Sequence, residues 1–229
     1  MYLGTFFVPG LVLIQICLLF RGQKKRRKKT ASAVAVLMVF ILSCTGCAGI
    51  EPEKRMYPLA MGVDMSEGEY ILTYAMPDLP RATGQGKEEE DGNQTLQVRG
   101  KSFEEIKSRY ERSQEKYLDI GHLQILILSQ DLTETDMWKD FFEYLREEPL
   151  AGENIYVFQT QEPEKLLGWK EGGTSVGEYI TGLMENRMDR EQKNGVTLRQ
   201  VYYQWYQNGT LKKLPKITLS EDQIQVWLE

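Results

Sequence analysis

Six consecutive basic residues, Lys24 to Lys29, stand one residue ahead of Ala31 to Ser43, thirteen residues without a charge. That order divides the chain. A positive block followed by an apolar run is the layout of a secretory leader, whose charge stays in the cytoplasm while the run enters the membrane. A spanning helix needs about 20 apolar residues, and this run of thirteen is too short for one. Small residues follow it, which suits a processing enzyme. Residues 21–46 are therefore read as a signal peptide and residues 47–229 as the mature part, about 180 residues, enough for one hydrophobic core.

Charge and cysteine placement respect the same division. Residues 1–46 contain seven Lys or Arg and no Asp or Glu, so the net charge of −5 for the whole chain becomes −12 for residues 47–229. An acidic domain repels phosphate backbones, which excludes nucleic acid as a partner and assigns the basic block to the leader. Cys17, Cys44 and Cys47 are the only cysteines. A domain that begins at Cys47 has a single thiol at its N-terminus and no internal disulfide, which fits lipid attachment better than a redox or zinc role.

The segment Leu42-Ser43-Cys44-Thr45-Gly46-Cys47 resembles a bacterial lipobox. The better fit places cleavage after Gly46 and a diacylglycerol thioether on Cys47, with fatty acids such as palmitate holding the chain on the bilayer. Cys44 stands where Leu is usual, and Ile41-Leu42-Ser43-Cys44 is the competing site. One acyl chain binds a bilayer only marginally, whereas two hold a domain stably. An uncleaved signal anchor with ordinary cysteines is the alternative. Tyr2 to Phe20 is a further apolar stretch, interrupted by Gly4, Pro9, Gly10 and Gln15. Residues 1–20 are read either as an extra transmembrane segment or as sequence upstream of a misplaced start.

Beyond Cys47 the pattern alternates between strand and helix, predicting an α+β fold with a mixed sheet packed by helices. Ala48 to Met56 is polar and is expected to be a spacer. Leu59 to Val63 and Tyr70 to Met76 flank Asp64-Met65-Ser66-Glu67-Gly68 and read as a β-hairpin. Pro77 to Asn93, with Glu88-Glu89-Glu90-Asp91, reads as a surface loop rather than a metal site, because adjacent carboxylates without a frame repel one another. Thr95 to Arg99 is a strand candidate, and Ser102 to Glu105 offers a capping box ahead of Phe103, Ile106 and Tyr110 at helical spacing. His122 to Leu128 suits a central strand buried on both faces.

Trp138, Phe141, Phe142 and Leu145 mark a helix that Pro149 stops, and Ile155 to Phe158 a further strand. Pro163 to Trp169 is a short helix, with a break at Gly172-Gly173. Val176, Tyr179, Ile180 and Leu183 mark the next, capped by Ser175 and Glu178, and Leu198, Val201, Tyr202 and Trp205 the last, ended by Asn208-Gly209. These aromatic stripes read as core packing. Ile217 to Leu219 and Ile224 to Leu228 read as strands. The second lies so close to Glu229 that a partner strand, and with it a further domain, is expected beyond the chain.

Catalytic signatures are missing. His122 is the sole histidine and no Ser or Cys motif accompanies it. Neither G-x-G-x-x-G nor G-x-x-x-x-G-K-[ST] occurs, so nucleotide binding has no support and no cofactor is expected. Asp64, Glu67 and Glu69 read as a polar turn.

From Thr45 onward the order of features resembles the Ger(x)C lipoproteins, the C subunits of spore-germination receptors. Thr45-Gly46-Cys47 carries the likeness at the lipobox, and Tyr57-Pro58-Leu59-Ala60-Met61-Gly62-Val63-Asp64 looks like the family's first strand. Tyr117 to Leu128 is similar to its Gly-His strand. Glu148-Pro149, Asn154 to Phe158, Val196-Thr197-Leu198 and Leu214-Pro215-Lys216-Ile217 continue the order. Family members usually have Trp-Asp after the lipid cysteine, where Ala48-Gly49 stands, and extend into a C-terminal domain, so residues 47–229 correspond to the family's N-terminal domain alone.

The resemblance implies a membrane lipoprotein on the extracytoplasmic side, at the outer face of the spore inner membrane in a sporulating host. There it would work with integral-membrane A and B subunits in the response to nutrient germinants. Only Cys47 transfers as a site, and no catalytic residue does. The alternative from another class is a ligand-binding lipoprotein of a transport system, which needs two lobes around a cleft and for which about 180 residues are few.

Overall fold

The structure, a computed structural model, describes residues 50–77, 95–169, 174–186 and 195–227, and Met38 besides. The fold belongs to the compact unit Glu51–Glu229. A turn of 3-10 helix, Pro52–Lys54, leads into the two-residue strand β1 (Arg55–Met56). Strands β2 (Ala60–Ser66), β3 (Glu69–Ala75) and β4 (Thr95–Gly100) follow. Next come α1 (Phe103–Ser113), β5 (Tyr117–Leu118), β6 (Ile125–Ser129), α2 (Gln130–Thr133) and α3 (Met137–Glu147). The chain continues through β7 (Tyr156–Thr160), α4 (Pro163–Leu167), α5 (Val176–Asn186) and α6 (Leu198–Asn208) to β8 (Lys216–Ser220) and β9 (Gln223–Trp227).

Seven strands form one mixed sheet in the order β4-β3-β2-β6-β7-β8-β9. Its centre, β2, β6, β7 and β8, is parallel, and an antiparallel pairing closes each side. Helices cover both faces, and the central strands record this in their residues. On β6, Leu126 and Leu128 enter one core with α1, α3 and α6, while Ile125 and Ile127 enter the other with α4 and α5. A strand buried on both sides cannot alternate with polar residues, which is why Ile125-Leu126-Ile127-Leu128 is continuously apolar. The larger core is aromatic: Phe141 and Phe142 are fully buried, with ring centroids 5.3 Å apart, and Phe103 lies 5.7 Å from Phe141.

The α+β architecture with a mixed sheet agrees with the sequence reading, and several boundaries move for identifiable reasons. β2 runs through Asp64 to Ser66, so the hairpin turn is only Glu67-Gly68, both at positive φ (53° and 78°), the two-residue geometry that matches strand twist. Glu221 and Asp222 repeat it between β8 and β9 at φ 50° and 60°. The last strand therefore has its partner within the chain: Ile217 pairs with Val226 and Leu219 with Ile224. His122 belongs to a 3-10 turn, Ile120–His122, and β6 starts three residues later. Capping at Ser102 is one-sided, since Glu105 turns its carboxylate to the Lys101 amide (2.9 Å), whereas Ser175 and Glu178 bond reciprocally at 3.3 and 3.2 Å. The loop reading of residues 78–93, the acidic run within it and the Gly172-Gly173 break lie outside the described residues.

Candidate functional site: the N-terminal junction and two clefts

The N-terminal entry to the domain departs most from the sequence reading. Arg55 and Met56, read as the end of a polar spacer, pair in parallel with Tyr117 and Leu118. The Arg55 guanidinium donates through Nη1 to Asp119 Oδ2 at 2.6 Å, and the other carboxylate oxygen accepts from the Gly121 amide at 2.9 Å. The Asp119 amide in turn donates to the Met56 carbonyl at 2.9 Å. The local cause is an Asx turn: an Asp two residues ahead of a glycine bonds forward to that amide and leaves one oxygen for a cation. Asp119 is 5% exposed, one of the few buried polar residues. Burial alone raises its carboxyl pKa, but the Arg55 hydrogen bond, the Gly121 amide and the Arg55 and His122 charges outweigh it and hold the group below the usual carboxylate range.

That shift has a defined sign. Unfolded Asp119 takes up its proton at ordinary carboxyl pH, and folded Asp119 only at lower pH, so between the two the unfolded state binds more protons and stability falls as pH drops. Above that window the contribution is complete. Asp119→Asn is expected to lower stability at neutral pH by about 1–2 kcal/mol, discounted because Arg55 remains partly hydrated. The variant should also show a flatter loss of stability below about pH 4. Urea unfolding across a pH series measures both, and parallel curves for parent and variant would contradict the assignment.

His122 sits beside this junction, exposed, with its ring edge-on to Tyr57 at 5.0 Å. Next to β5 a cleft of about 270 Å3 opens between α1 and the end of α3, lined by Ile106, Tyr110, Tyr117, Leu118, Tyr144 and Leu150 among others. Burial pushes the Tyr110 hydroxyl up to about 12. Tyr144, half-buried and close to Glu148, and the buried Tyr74 are also raised. These phenols stay protonated at neutral pH and act as donors and ring surface, not as bases. The cleft is suited to an apolar or aromatic group.

A second cleft, about 290 Å3, lies at the carboxyl ends of β6 and β7 and is more polar, lined by Gln130, Gln159, Thr160, Lys165, Lys216 and Thr218 with others. Its origin is a splay in the sheet. β8 meets β7 at the single pair Gln159–Lys216, so the strands part beyond it. Gln159 donates to the Thr133 hydroxyl on α2 and so fixes one wall.

Cys47, Cys44 and Gly46, the residues assigned to lipidation and cleavage, lie outside the described residues. Asp64 is on β2, where it accepts from the Met65 amide at 2.7 Å, and Glu67 and Glu69 flank the turn; the three form no common site. Among the described residues there is no group of three or more His, Cys, Asp or Glu placed to hold a metal ion, and no helix is long and apolar enough to cross a membrane. The Arg55–Asp119 junction went unread although Asp119-x-Gly121 is a visible Asx-turn signal.

Neither a curated protein nor a solved structure matches the chain. A family model does: the spore germination protein N-terminal domain, over residues 49–219. The match begins just ahead of the Arg55–Asp119 junction, takes in both clefts and ends on β8, so one family accounts for nearly all of the described fold. The chain belongs to the Ger(x)C spore germination proteins, carries their N-terminal domain, and has through that family a role in spore germination.

Proposed function

We propose that this chain is the lipid-anchored subunit of a spore nutrient-germinant receptor, working without catalysis beside integral-membrane A and B subunits on the extracytoplasmic face of the membrane. The observation that carries this reading is the position of the family match. It starts at Gly49, two residues after the Cys47 of Thr45-Gly46-Cys47. A lipidated cysteine there would deliver the domain to the bilayer with almost no chain to spare. The non-catalytic part of the reading has support in the surroundings of the candidate groups. His122 faces a tyrosine ring rather than a nucleophile, and the cleft phenols are held neutral.

A subunit of this kind acts by contact. The chain, tagged and solubilised from spore membranes, is expected to bring down both membrane subunits together, and spores lacking it should lose most of their nutrient-triggered fall in optical density. A tagged chain that comes down alone from membranes containing both subunits would sink the receptor reading and leave the germination role without its partners.

A further inference from the structure

Charge is unevenly spread over this acidic domain. From Gln192 to Ser220 there is no Asp or Glu, and the charged residues are Lys193, Arg199, Lys212, Lys213 and Lys216. Helix α6 occupies the middle of that stretch. Its inner side buries Leu198 and Val201 and sets Trp205 edge-on to Trp138 at 5.4 Å. At 100° per residue, Arg199, Tyr203 and Tyr206 fall within an arc of about 60° on the outer side. Tyr203 is 69% exposed and Tyr206 58%. An outward helix face normally carries charges of both signs; this one offers phenol rings instead.

The Tyr206 ring is held by its neighbours. Tyr206 stacks on Trp205 with centroids 5.3 Å apart and planes 13° from parallel, and its hydroxyl accepts from Arg146 Nη1 at 2.9 Å. Tyr202 stacks on Tyr206 at 6.3 Å and donates to the Phe142 carbonyl. Gly209, at φ 69°, then turns the chain into Thr210-Leu211-Lys212-Lys213. Glu153 holds Arg199 on this face at 3.1 Å.

We propose that the outer face of α6 and the Lys212-Lys213 segment rest on an anionic lipid surface, with Tyr203 and Tyr206 in the headgroup layer. This rests on the membrane anchoring proposed above. Tyrosine and tryptophan settle at the water–bilayer boundary because one end of each ring is polar. Basic residues are drawn to anionic headgroups, an attraction that salt removes. The rest of the domain is acidic, so the bilayer attracts this side and repels the others. Eight residue steps separate Cys47 from Arg55, so an anchored domain stays within about 28 Å of the surface, where a weak contact suffices.

The test uses the full chain, purified from host membranes and reconstituted on vesicles of phosphatidylcholine alone or mixed with phosphatidylglycerol, then labelled with an amine-reactive reagent and read by mass spectrometry. Lys212 and Lys213 are expected to label roughly threefold more slowly on the anionic vesicles, the difference disappearing at high salt. Lys165, on the other face of the sheet, should not change. Tyr203→Ser with Tyr206→Ser should reduce the protection, as should Lys212→Gln with Lys213→Gln, a pair that leaves the helix intact. A chain that floats with both vesicles and labels equally on each overturns the contact face alone and points to a protein partner for α6. A chain that floats with neither overturns the anchoring as well.

Discussion

Replacing Cys47 by Ala is expected to remove fatty-acid label from the chain, a fall of at least about tenfold, and to leave the protein at its unprocessed mass. The expectation follows from chemistry that only a thiol in this position supplies. In the proposed anchor diacylglycerol would be joined through a thioether, and cleavage after Gly46 would depend on that modification. Detachment from the membrane is a poor readout, because an unprocessed chain keeps the apolar run Ala31 to Ser43. Labelling and mass are therefore the quantities to measure. Label that persists with Cys44 intact moves the site to Cys44, and Cys44→Ala in the Cys47 background then removes it. Loss of processing without any label in the parent would favour an uncleaved anchor.

Phe142→Ala is expected to destabilise the domain by about 3–5 kcal/mol, the range for emptying a fully buried aromatic site. Phe142 is where α3 meets α6. Its ring touches Phe141, Trp138 and Tyr202, with centroids 5.3, 6.1 and 5.9 Å away, and its carbonyl accepts the Tyr202 hydroxyl at 3.2 Å. Neighbouring rings are held by several partners each and collapse poorly into a void, which places the cost at the upper end. Against a typical domain stability of about 5–15 kcal/mol this removes a large fraction. Tyr203→Ala, one helix face away, should shift the urea midpoint by no more than about 0.5 kcal/mol equivalent. Similar midpoints for the two variants would contradict the assignment of the core.

The contrast between Phe142 and Tyr203 also marks what a linear reading recovers. Trp138, Phe141, Phe142 and Leu145 recur at helical spacing and are buried together, and Ile125 to Leu128 is apolar without alternation and is the middle strand of seven. Both are local signals, because periodicity and burial share a cause. Arg55 and Asp119 lie 64 positions apart, and neither has a pattern around it that points to the other. β1 and β5 are two residues each, too short for any alternation to register. Tyr203 and Tyr206 share a helix with rings packed partly into the core, so an aromatic count over α6 reads as core; only their placement on the outer arc separates them. The lipobox reading rests on a contiguous motif that lies outside the described residues, whereas the two clefts arise from strand splay and helix packing that no short segment encodes.

The joint between β1 and β5 bears on how the domain would answer force. Under the proposed anchoring, tension along the N-terminus would arrive at Arg55, where the parallel pairing with Tyr117 and Leu118 and the ion pair with Asp119 would take up load before β2. In series with a seven-stranded sheet, so short a joint would be the first to yield if the N-terminus were anchored as proposed. Its opening would release Arg55 and Met56 into the leash while both cores stayed closed, so that the joint would serve as a mechanical fuse between a moving bilayer and a domain that need not unfold to follow it.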